Sequence, residues 1–202
     1  THKKGVFANS NGVNFDLEKG MYHFSPMFTS KDGQNTSSFN YTGFSSKHLE
    51  KSLKDFGSID RLLKESQEQT ITNSVPEKFN GQIIVAPDCL DNFISTMMGF
   101  ISDISLISGR SVYKDKLDKS IADSRLTLHS KPRSEEIQNN YFITSDGYES
   151  KDSTLIENGI LKTFLLGIYG ANKTGHSRAV NDGGAHVVEP GKTAVSNMIK
   201  SI

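Results

Sequence analysis

Hydrophobic residues recur with a helical period in one stretch of this chain and with a strand period in several others. Leu90, Phe93, Ile94, Met97, Met98, Ile101 and Ile104 fall at offsets 0, 3, 4, 7, 8, 11 and 14, which is one continuous helical face. Asp91, Asn92, Ser95, Thr96, Ser102 and Asp103 make the other face, so the pattern predicts a central buried helix over 89–104, with Asp88 available as its cap. Just before it, Gly81-Gln82-Ile83-Ile84-Val85-Ala86 is a short apolar run closed by Pro87 and reads as a buried strand. A second helix is predicted from Ile59 to about Glu68, with Ser58 as N-cap and Ile59, Leu62 and Leu63 on its apolar side.

Strand patterns dominate the rest. Residues 6–9, 13–19, 21–30 and 34–42 read as a meander joined by Asn11-Gly12, Gly20 and Lys31-Asp32-Gly33. Thr70 to Asn80, which contains Pro76, reads as a linker into the strand at Gly81. Arg125 to His129 alternates like a strand, and Tyr141-Phe142-Ile143 opens another. Asn158-Gly159 between two apolar runs is the strongest hairpin signal, because both turn positions need positive φ. Asn181 to Gly184 and Glu189 to Lys192 are turns in an irregular tail. The expected fold is α+β: mainly antiparallel sheet in a meander and hairpins, packed with a few helices, in a single domain over 1–202.

Charge removes one class of function. The 23 basic residues match the 23 acidic ones, so there is no electrostatic footprint for nucleic acid. No apolar run is long enough to span a bilayer. The single cysteine, Cys89, has no partner for an internal disulfide, which fits a reducing compartment and a cytoplasmic protein. It stands near the predicted helix start, and a quiet buried thiol is the simplest reading of it.

The reactive side chains are sparse. His176 and His186 lie ten residues apart in a glycine-rich segment, with no carboxylate or cysteine at a ligand spacing, and read as solvated loop histidines. Gly175-His176-Ser177-Arg178-Ala179 has the outline of a nucleophile elbow but lacks its second glycine and its preceding strand. The alternating charges from Lys114 to Lys119 read as a solvated surface, and His23, between Tyr22 and Phe24, as packing.

Several motifs together carry a resemblance. They are Asn9-Ser10-Asn11-Gly12 near the start, the Ala86-Pro87 step with its helix, and Gly109-Arg110-Ser111-Val112-Tyr113 after the helix. Further on come Leu155-Ile156-Glu157-Asn158-Gly159-Ile160-Leu161, Phe164-Leu165-Leu166, and Tyr169-Gly170-Ala171-Asn172-Lys173-Thr174-Gly175. In order and spacing the chain resembles the TldD/PmbA family, described as peptide-maturation proteins and as modulators of DNA gyrase, over most of residues 5–175. The family-motif positions are Gly109, Arg110, Ser111, Asn158, Gly159, Tyr169 and Lys173. The segment after Lys173 departs from the family's pattern.

The metallopeptidase branch of that family carries H-E-x-x-x-H on this helix. Aligned on the Ala86-Pro87 step, the histidines fall on Ser95 and Phe100, the glutamate on Thr96 and the inner glycine on Gly99, and only the glycine is kept. A catalytic zinc needs about three N, S or O ligands and a carboxylate base, which serine, threonine and phenylalanine do not supply. Gly99 is read as a close helix contact.

The resemblance therefore implies a non-metal-binding, PmbA-like chain with no cofactor and no catalytic residue of its own. It would comprise most of the family's C-terminal domain, without the N-terminal domain and the last strands, from which the metallopeptidase branch draws a cysteine ligand. Its implied partners are a zinc-bearing TldD-like subunit, further copies of itself, or both, together with an extended peptide substrate added as a strand at a sheet edge. No nucleic acid or membrane partner is implied. Two alternatives stay open: a self-contained peptidase with catalytic groups outside these residues, and a non-enzymatic peptide-binding module.

Overall fold

The computed structural model describes residues 1–202 apart from Val75, Pro76, Phe79 and Glu136, and it does not describe the side chain of Asp88. The predicted linker thus falls partly outside the described residues. Where the sequence suggests one domain, the contacts cluster into two units: Thr1–Phe7 with Asn14–Gln82, and Ala8–Val13 with Ile83–Ile202.

The first unit is built from hairpins. Strand β1 (His2–Ala8) pairs with β2 (Asn14–Gly20). Strands β3 (Tyr22–Phe24), β4 (Met27–Phe28), β5 (Lys31–Asp32), β6 (Asn35–Thr36), β7 (Asn40–Tyr41) and β8 (Phe44–Ser46) then run up and back along one antiparallel ribbon. Its rungs are Tyr22 with Ser46, Met27 with Tyr41 and Lys31 with Thr36. It turns at Gly33, whose φ of 58° is the left-handed value the sequence reserved a glycine for. Helix α1 (Ile59–Glu68) has Ser58 as its N-cap residue and buries Ile59 and Ser66. Phe44 stacks on Phe56 with ring centroids 4.2 Å apart, and the Ser66 hydroxyl lies 2.6 Å from that of Ser30.

The second unit holds the larger core. Helix α2 (Pro87–Phe100) is followed by α3 (Asp103–Ile107). Strands β9 (Leu128–Ser130), β10 (Ser153–Glu157), β11 (Ile160–Leu161) and β12 (His186–Val188) form an antiparallel sheet in the order β11-β10-β9-β12. Helix α4 (Ile168–Thr174) precedes β12, and α5 (Val195–Lys200) lies near the end. Ile94, Met98, Ile101, Leu106, Leu128, Leu155, Ile156, Leu161, Phe164 and Leu166 make one buried cluster. Each such side chain contributes roughly 1.5 to 3 kcal/mol by leaving water. Asn158 (φ 47°) and Gly159 (φ 79°) form the β10–β11 turn with the predicted left-handed pair.

Three sequence expectations are corrected here. Gly81 to Ala86 is not a strand, and Ile83 and Ile84 are exposed. No described strand pairs with the segment, and an apolar run with no ladder for its backbone groups has no reason to become one.

The helix expected over 89–104 is neither continuous nor buried. Pro87, with its preset φ, occupies the first helical position, so α2 starts ahead of Cys89 with Ala86 as N-cap. It stops at Phe100, because Ser102 takes an extended backbone (ψ 165°) as the N-cap of α3, and the hydroxyls of Ser102 and Ser105 both donate to the Gly99 carbonyl. Among the described side chains of α2 only Ile94 and Met98 are buried, whereas Leu90, Phe93 and Ile104 of the predicted stripe are exposed.

The expected close contact at Gly99 is absent: a Cβ built there meets nothing within 4 Å.

Candidate functional site

The four degenerate motif positions lie on or beside one exposed face of α2, and two of them line a groove. Thr96 and Phe100, with Asn92, Phe93, Met97 and Tyr113, enclose a volume of about 530 Å³. Ser95 and Gly99 are exposed and outside the lining. Phe93, Met97 and Phe100 follow one another along the helix at spacings of four and three residues, which stacks them on a single stripe. The Thr96 hydroxyl donates to the Asn92 carbonyl at 2.8 Å, the common way for a helical threonine to satisfy its proton within its own turn.

Tyr113, across the groove, is held by the motif that follows α3. Gly109 takes φ 70° and lets the chain leave the helix, and the buried Ser111 donates its N–H to the Ser105 carbonyl at 3.0 Å. The Ser111 hydroxyl accepts the Tyr113 N–H at 3.0 Å. The Tyr113 ring then meets Phe100 edge to face, centroids 6.1 Å apart at 90°. Gly109 and Ser111 thus position the groove's far wall. Arg110 points elsewhere, its Nε donating to the Ser108 hydroxyl at 3.1 Å.

The remaining motif positions are apart from the groove. Gly159 accepts the N–H groups of Ile121 and Ala122 on its carbonyl and donates its own N–H to Leu126, so the β10–β11 turn anchors the 121–126 loop. A Cβ at Gly159 would collide with the Ala122 and Asp123 carbonyls. On α4 the Lys173 ammonium lies 5.7 Å from the centre of the exposed Tyr169 ring.

The fold also gathers residues that sequence reading did not single out. Asp103, Asp146 and Asp182 line a pocket of about 290 Å³ with Ser145, Asn181 and Tyr169 among its walls. Each carboxylate accepts a backbone N–H: Asp103 from Gly167 at 3.0 Å, Asp146 from Ile168 at 2.7 Å and Asp182 from Ser145 at 2.6 Å. Asp103 and Asp146 therefore serve the start of α4, where the orphan donors and the helix dipole favour negative charge. A side chain at Gly170 would have to displace the Asp103 carboxylate.

Tyr141 donates to the Gly183 carbonyl at 2.7 Å and accepts the Asp182 N–H at 3.0 Å. Burial pushes its phenol up to about 12. The signal available in the sequence was weak. These residues come from separate loops that only the fold brings together.

The two loop histidines do different things. His176 lies edge-on to Phe164, centroids 4.9 Å apart. His186 stands in β12 with a buried Nε2 that has no hydrogen-bond partner among the described residues, and burial lowers its pKa while Asp91 pulls the other way. His23 is bracketed by hydroxyls, its Nδ1 3.1 Å from Ser45 Oγ and its Nε2 2.9 Å from Ser25 Oγ. Cys89 is exposed in the first turn of α2, where the sequence suggested a buried thiol.

Among the described residues no three His, Cys, Asp or Glu side chains come together so as to hold a metal ion. The α2 face offers two neutral hydroxyls and an aromatic ring, so its residues do not fit the metal of the family's peptidase branch.

Comparison with known proteins agrees with the motif order. The PmbA/TldA metallopeptidase C-terminal domain matches residues 79–202, and the chain belongs to the PmbA/TldD family. It is 24% identical over 213 aligned positions to the Metalloprotease PmbA homolog of Haemophilus influenzae, covering 92% of this chain and 45% of that protein. It is 28% identical over 134 positions to the Zinc metalloprotease TldD homolog of Saccharolobus solfataricus, covering 62% of this chain and 30% of that one. Its fold is similar to the crystal structure of TldE from Thermococcus kodakarensis, with a TM-score of 0.72 at 18% identity, over 98% of this chain and 47% of that one. The chain thus spans less than half the length of each of these relatives. Among the described residues no helix is long and apolar enough to cross a membrane.

Proposed function

We propose that this chain is part of a PmbA-like, non-metal-binding member of the family, which serves proteolysis or peptide maturation as the partner of a zinc-bearing paralogue. The observation that carries the reading is the groove on α2. Where the peptidase branch places ligands and base, this chain has Ser95, Thr96 and Phe100, and Thr96 and Phe100 line an apolar groove with Met97 and Tyr113. A neutral hydroxyl is a poor zinc ligand and no base near pH 7, and a phenyl ring has no donor.

The end strand of the sheet supports a substrate-holding role. Ala185 accepts the Lys131 N–H and Glu189 donates its N–H to the Thr127 carbonyl, the residues flanking β9, so by strand alternation the backbone groups of His186 and Val188 point away from β9. Such an edge accepts an extended chain. The unpaired Cys89 agrees with the reducing cytoplasm as its compartment.

The test uses the full-length protein and a zinc-bearing paralogue from the same cells. Elemental analysis after dialysis is expected to find no stoichiometric zinc in this protein, and an unstructured peptide is expected to be cleaved only when both proteins are present. Near one zinc per chain, lost together with activity on chelation, would overturn the reading.

A further inference from the structure

We propose that the α2 groove is a side-chain pocket for a bulky uncharged residue, aromatic above all, of an extended peptide. The proposal deepens the function proposed above and rests on it. Phe93, Met97 and Phe100 form one wall and Tyr113 the other, in a volume of about 530 Å³, within the range of pockets that hold small ligands. The perpendicular Phe100–Tyr113 pair is an arrangement that a third ring can join edge to face or offset. Met97, unbranched and polarisable, adapts to rings of different size.

The polar atoms point to the same guest. Among the described residues no lysine, arginine, histidine, aspartate or glutamate lines the groove; its polar side chains, Asn92, Thr96 and Tyr113, are neutral, and the threonine proton is already given to the Asn92 carbonyl. A carboxylate or ammonium entering here would lose its water without gaining a countercharge, whereas an apolar side chain loses nothing it needs. The pocket therefore selects by what it refuses.

The test measures binding of fluorescent glycine–serine heptapeptides, differing only in a central Phe, Leu, Lys or Asp, to the full-length protein. The Phe peptide is expected to bind roughly tenfold or more tightly than the Asp peptide, with Leu between them. Thr96→Asp places a carboxylate in the groove at an exposed position, so the fold is kept; it should abolish the Phe preference and favour the Lys peptide. Thr96→Val, which removes the hydroxyl and keeps the groove apolar, should preserve the preference.

Equal affinity for all four peptides, or a Phe preference that survives Thr96→Asp, overturns the proposal. So does a change of oligomeric state in Thr96→Asp without any peptide discrimination, which would make a second copy of the chain the occupant. These readouts are separate from zinc content and from dependence on the paralogue. A failed pocket leaves the partner reading standing, whereas zinc found in the chain removes the partner reading and, with it, the proposal that rests on it.

Discussion

Glycine 99 and glycine 159 are both inherited motif residues, and the structure gives them opposite physical weights. Gly99 lies near the end of α2 with open space where a Cβ would be. Its carbonyl accepts the Ser102 and Ser105 hydroxyls, which any residue could provide. Gly99→Ala is therefore expected to stabilise the protein by roughly 0.5 to 1 kcal/mol through helix propensity. Gly159 combines φ of 79° with carbonyls of Ala122 and Asp123 in the space a methyl group would need. Gly159→Ala is expected to cost about 1 to 3 kcal/mol, because the left-handed backbone and the clash act together. Urea midpoints of the two variants measured side by side should move in opposite directions. A destabilised Gly99→Ala would restore the close contact that sequence reading expected.

At the scale of elements, α2 shows what periodicity can and cannot reveal. The apolar stripe from Leu90 to Ile104 located a helix but not its extent: α2 starts at Pro87 and ends at Phe100, and Ser102 begins a separate helix to which Ile104 belongs. Which part of the stripe meets the core was not legible. Ile94 and Met98 are 5% and 6% exposed, but Phe93 is 57% exposed and Ile104 is 72%. A hydrophobic residue facing a groove has the same sequence signature as one facing a core. The predicted strand at Gly81 fails for a related reason, since strand identity depends on a partner that local composition cannot supply. The Asn158-Gly159 hairpin succeeds because its signal lies in backbone conformation and needs no partner. Met98→Ala should accordingly cost about 2 to 4 kcal/mol by leaving a cavity, while Phe93→Ala should cost under about 0.5 kcal/mol. Thermal or urea unfolding distinguishes them, and a Phe93→Ala cost as large as that of Met98→Ala would mean that the groove is closed in solution.

Over the whole molecule, the division into two units has a consequence for cooperativity. Ile59 and the Phe44–Phe56 stack belong to the first unit, whereas Leu155, wholly buried in β10, belongs to the second. A small single domain unfolds as one step, but units with separate cores can open separately. Leu155→Ala removes packing worth about 2 to 5 kcal/mol from the sheet of the second unit alone. Amide hydrogen exchange read by mass spectrometry should then show faster exchange in β9, β10 and β12, with the protection of α1 unchanged. The reciprocal variant, Ile59→Ala, should loosen α1 and leave the sheet as it was. If either substitution lowers protection equally in both units, the chain unfolds as one cooperative body. In that case the single domain expected from its length and pattern is the better thermodynamic description, even though the contacts divide.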